Sequence, residues 1–185
     1  MNRIILIVVI MGLVCACGRS AQDIRERQIA AIKESVTLST QEKISQIARL
    51  LATVVEDKVE IANGKITYSL TIRFDHDDKT VVLQGQDPRQ TDKSVSMLML
   101  AFELKRISQH LTDYPIESLF CTLQLVTSDV GWVDIFQVRL DRSQLLALSK
   151  FSMGPKEIRD PKNALQGRWS VIKDDFGKIE YYKPK

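Results

Sequence analysis

Residues 59–74 read "VEIANGKITYSLTIRF". Asn63-Gly64 sits between two apolar-alternating runs, and both residues accept positive φ. This is the strongest short-range signal for a two-residue hairpin. Ile66, Tyr68, Leu70, Ile72 and Phe74 share one face of the second strand, because strand side chains alternate with period two. A chain carrying this segment folds around a sheet with one buried face.

The residues around this hairpin switch to helical periodicity. Upstream, Ile24, Ile29, Ile32 and Val36 form a thin apolar stripe. Ser39 with Glu42 three residues later is a capping-box pattern. It opens a helix whose apolar positions are Ile44, Ile47, Ala48, Leu51, Val54 and Val55. Downstream, "VVLQGQ" reads as a third strand ended by Asp87-Pro88. The spacing of Val95, Leu98, Met99, Phe102, Leu104, Ile107 and Leu111 predicts a long helix from Ser94, with Thr91 or Asp92 at its cap. Tyr114-Pro115 stops it, since a residue before proline avoids the helical region. "SLFCTLQLV" and "WVDIFQVRL" read as paired strands, and "SQLLALSKF" as a short helix capped by Asp141 or Ser143. A terminal hairpin, "RWSVIK" and "KIEYYK", closes the chain. The expected fold is α+β, with N-terminal helices, an antiparallel sheet packed against one long helix, and the terminal hairpin. The order strand–helix–strand–strand–helix over residues 80–151 resembles the ring-building modules of bacterial secretion machines.

The first residues carry a different message. Arg3 is followed by residues 4–14 without a polar group, which is the plan of a secretory signal. A spanning helix needs about 20 apolar residues, more than this run supplies before Arg19. Val14-Cys15-Ala16-Cys17 resembles the lipobox of bacterial lipoproteins. The resemblance implies cleavage before Cys17, with diacylglycerol placed on that thiol. Gly18, rather than Asp, follows Cys17, which the same resemblance reads as sorting to the outer membrane, facing the periplasm. Two or more acyl chains make such an anchor durable where one does not. The organisation expected is a signal peptide over 1–16, a tether and first helix over 17–38, an α+β domain over 39–153, and a linker with the hairpin over 154–185.

Charge and motifs narrow the function classes. The formal net charge is +3, and Lys and Arg are interleaved with Asp and Glu. No basic stripe stands out, so nucleic acid is not an expected partner. With Cys17 acylated and Cys15 removed, Cys121 is the remaining thiol and an internal disulfide is ruled out. It falls among leucines on a strand and reads as a small buried hydrophobe. "FDHDDK" offers Asp75, Asp77, Asp78 and His76, but lacks the further ligands and glycine of a calcium loop. It reads as a solvated loop. His110, at the end of the long helix with Asp113 nearby, complements the helix dipole.

No catalytic residues, metal or cofactor are assigned. Trp169, Phe176, Tyr181 and Tyr182 gather in the terminal hairpin. They either dock on their own domain as an added edge or anchor a partner. The expected function is that of a non-enzymatic, membrane-anchored interaction or assembly subunit. It would bind the bilayer through Cys17 and an envelope protein through its domain, in a secretion or conjugation-type complex. The alternative is a small-ligand or lipid-binding lipoprotein with its pocket at Met97, Met99 and Phe102.

Overall fold

A computed structural model describes residues 21–74, 88–127, 129–152, 154, 157 and 159–178. The chain divides into two compact units between Leu50 and Leu51.

The first unit holds helix α1, residues 21–34, and helix α2 (Thr40–Leu51). The capping box forms as the sequence predicts. Ser39 N donates to Glu42 Oε2 at 2.8 Å, and Glu42 N donates back to Ser39 Oγ at 3.3 Å. The N–H of Ser39, then its hydroxyl, hold the Glu42 carboxyl below its ordinary range. Lys43 Nζ reaches the Lys33 carbonyl at 2.9 Å, covering an acceptor that the end of α1 leaves open. Ile44, Ile47 and Ala48 are fully buried along one stripe of α2.

The second unit is built on a five-stranded sheet of order β1-β2-β3-β4-β5. Strands β1 (Val54–Ala62) and β2 (Lys65–Arg73) form the first hairpin. Asn63 and Gly64 take φ of 52° and 74° at its turn. All five alternating residues from Ile66 to Phe74 are buried.

Helix α3 (Pro88–Leu111) follows, then β3 (Ile116–Thr127) and β4 (Gly131–Asp141). The helix starts at Pro88, ahead of the expected Ser94, so Thr91 and Asp92 lie inside it and do not cap it. Proline suits a first helical position, where its fixed φ is helical and no N–H is needed. α3 has 24 residues, about 36 Å at 1.5 Å per residue. β2 has 9, about 30 Å. A helix of matching length returns the chain to the end where β2 began, so β3 enters parallel to β2, with Ile116 opposite Ile66. This corrects the expectation of an antiparallel sheet: the other pairings are antiparallel and the central one is not.

The α3 face that includes Leu100, Ala101, Leu104, Ile107 and Leu111 is buried to 1% exposure or less. So are Leu119, Cys121, Leu123 and Leu125 of β3, with Phe136, Val138 and Leu140 of β4. Helix α4 (Arg142–Ser149) adds Leu145 and Leu148 to this core. Asp141 is its N-cap and forms a capping box with Gln144.

Strand β5 (Ser170–Asp174) pairs antiparallel with β4 and becomes the sheet's second edge. Lys178 N then closes a turn onto Asp175 O at 2.9 Å. The expected strands "VVLQGQ" and "KIEYYK" fall in whole or most part outside the described residues.

Arg142 bonds the Tyr114 carbonyl through Nη1 and the Thr112 carbonyl at 2.9 Å through Nη2. One guanidinium thus holds the turn between α3 and β3 against the start of α4. Arg142→Ala should lower unfolding stability by about 2 kcal/mol, since charged hydrogen bonds to carbonyls are lost. Arg142→Lys should recover little, because an ammonium cannot fork to both acceptors. Urea midpoints at unchanged slope measure both.

The Asp141 carboxyl is held below its ordinary range, first by the Gln144 N–H and then by the Ser143 hydroxyl. A depressed folded-state pKa contributes stability above the unfolded value, and this contribution is lost as pH falls through the folded one. Asp141→Asn keeps a good cap without the charge. Its urea midpoint should therefore fall less than wild type when pH drops below about 4.

Candidate functional site

Helices α3 and α4 pack on one face of the sheet, and the alternate residues of its strands stand on the opposite face. Its residues follow from strand alternation and register. Ser69, Thr71 and Arg73 of β2 stand beside Phe120, Thr122 and Gln124 of β3. These in turn stand beside Arg139, Gln137 and Asp134 of β4. A register shift opposite Leu123 and Gln124 inserts Ile135 into β4, the signature of a β-bulge. Ile135 and Phe136 are consequently both buried, and Asp134 is turned to the open face.

Long side chains knit this face together. Arg73 Nε donates to Gln124 Oε1 at 2.9 Å, and Gln124 Nε2 donates to Asp134 Oδ1 at 2.8 Å. Lys173 Nζ reaches the Asp134 carbonyl at 2.6 Å. The Arg73 guanidinium lies 5.0 Å from the centre of the Trp132 ring, and Arg139 lies 5.4 Å from Phe120. Arg139 Nη2 also donates to Ser118 Oγ at 3.3 Å.

Beside Phe120 lies a shallow depression of about 420 Å³ that spans β1 to β5. Ser69, Thr71 and Thr122 line it with hydroxyls, and Glu56, Lys58, Phe120 and Ile172 stand at its margin. The arrangement offers donors, acceptors and stacked cations across a broad surface, which suits recognition of a surface better than enclosure of a small molecule.

The residues singled out from sequence are distributed as follows. Cys17, Asp75, His76, Asp77, Asp78, Tyr181 and Tyr182 lie outside the described residues. Cys121 is buried to 1% exposure, and burial pushes its thiol well above the ordinary range. That is the inert setting expected of it. His110 stands in the last turn of α3.

Trp169 and Phe176 are buried and close on Phe136, at 5.8 Å and 5.5 Å between ring centres. Read as candidate partner anchors, they instead pack this segment onto its own domain, because an edge strand as short as β5 needs such packing to stay docked. Of the residues expected to line a pocket, Met97 is buried next to the buried Leu100 and Leu104, while Phe102 turns outward at 45% exposure. Among the described residues, no three His, Cys, Asp or Glu side chains come together to hold a metal ion.

The Arg73–Gln124–Asp134 chain escaped sequence reasoning. Alternation places Gln124 on the open face, but the bulge hides which residue of "WVDIFQVRL" faces it. No protein family model, curated protein or solved structure matches this chain. Among the described residues, no helix is long and apolar enough to cross a membrane.

A variant with Cys15→Ser and Cys17→Ser leaves Cys121 as the remaining thiol. It should give no reaction with a thiol-disulfide reagent in native buffer and complete reaction in denaturant. Rapid native reaction would contradict the burial of Cys121.

Proposed function

We propose that this chain is a lipid-anchored envelope lipoprotein that works without catalysis, as an interaction or assembly subunit of a multiprotein complex. The observation that carries the reading is the sequence around Cys17: a positive residue, an uninterrupted apolar run, and Val14-Cys15-Ala16-Cys17. By the lipoprotein resemblance, an acylated Cys17 followed by Gly18 supports sorting to the outer membrane, with the domain facing the periplasm. A tether of this kind suits a protein that presents a surface, and the open face of the sheet is the surface it has to present. A secretion or conjugation-type machine is the proposed setting.

Fractionation of cells carrying the full chain tests the anchor. Wild type should sediment with membranes and resist high-salt extraction, and intact mass should show acyl chains on an N-terminal Cys17. Cys17→Ser should move the protein to the soluble fraction. Sedimentation of both forms alike, or an unmodified Cys17, would remove the reading.

A further inference from the structure

Resting on this proposed role as an assembly subunit, we infer that the tip of the β3–β4 hairpin is a docking knob. Its partner is a protein with an apolar groove that carries a carboxylate for Arg73. Val130 is 76% exposed and Trp132 is 37% exposed. Val126 stands beside Trp132 across the ladder. Val130 and Gly131 are tied back to Thr127, whose Oγ1 accepts from Val130 N at 3.3 Å and donates to Gly131 O at 3.1 Å. Gly131 takes a φ of 82° that other residues resist. An apolar group whose own backbone is already bonded in place has met part of its ordering cost.

Charge sets the chemistry of the partner. The guanidinium of Arg73 stacks on Trp132, and its Nε is held by Gln124. Among the described residues, no carboxylate pairs with Arg73. A tryptophan backed by an arginine is the composition in which binding energy concentrates at interfaces. An acidic group beside the groove would complete the arginine's charge.

A bilayer fits this tip less well. Asp129 directly precedes Val130, so inserting the valine would carry a carboxylate and turn backbone toward hydrocarbon. The knob is small beside the roughly 800 Å² per partner of standard interfaces. It therefore depends on the anchor, which turns a weak contact into one at high effective concentration.

The test is crosslinking in cells that carry the full lipidated chain, with a photoreactive phenylalanine analogue at position 130 and a control at position 146. Leu146 is also exposed, on α4. The expected result is one discrete protein adduct from position 130, mapping to an apolar segment flanked by Asp or Glu, with none from position 146. Arg73→Glu and Trp132→Ala, in the position-130 background, should each lower its yield about tenfold, the loss of roughly 1.4 kcal/mol of binding. Trp132→Phe should retain most of it. Urea midpoints of these variants, read in parallel, confirm that the fold is kept.

An adduct with lipid would make the tip a bilayer contact, and an adduct with a second copy would make it a self-contact. Either result, equal yields from both positions, or no adduct at all overturns the inference. Fractionation of the same cells separates the two readings. Protein that stays on membranes without an adduct fails as a knob but keeps its anchor, whereas protein found soluble has lost the anchor itself.

Discussion

The parallel pairing of β2 with β3 is the constraint on which the second unit depends. Two hairpins, β1–β2 and β3–β4, lie side by side in it. A parallel join cannot be made by a tight turn, so the chain must cross back over the sheet. α3 makes that crossing, and its length relative to β2 returns β3 to the starting end. The crossover also supplies the cover for one face. Parallel strands usually carry continuous apolar runs and are covered on both sides. Here β2 and β3 alternate instead, so a single face was built for burial and the other was left polar.

That second face is ordered by register. The bulge at Ile135 puts two consecutive residues of β4 into the core and aims Asp134 at Gln124. Gln124 then holds Arg73, which lies over Trp132. Each contact on an exposed face contributes little stability on its own. Their effect is positional, since together they fix where a cation and an indole stand on the surface.

Phe136 ties the bulge of β4 to the C-terminal segment. The bulge that exposes Asp134 also buries Phe136, and Trp169 and Phe176 converge on it from the C-terminal segment. β5 is thereby held along β4, although Val171 and Ile172 remain about half exposed on it. Trp169 and Phe176, two of the aromatics that the sequence offers as partner anchors, are consumed in docking the chain onto itself. The tryptophan left at the surface is Trp132.

What the sequence by itself determined is local. Asn63-Gly64 dictates its turn because few residue pairs accept two positive φ angles. Ser39 and Glu42 dictate the start of α2 by satisfying each other's donors. Alternation from Ile66 to Phe74 names the buried face, and the leucines around Cys121 predict its burial. The tertiary structure decided what sequence distance conceals. The direction of β3 relative to β2 follows from how far α3 carries the chain. The outward turn of Phe102 follows from which stripe of a broadly apolar helix meets the sheet. The Arg73–Gln124–Asp134 chain joins residues from separate strands, and its register hangs on one inserted residue. Such features arise when distant segments meet, and no period within a single segment records them.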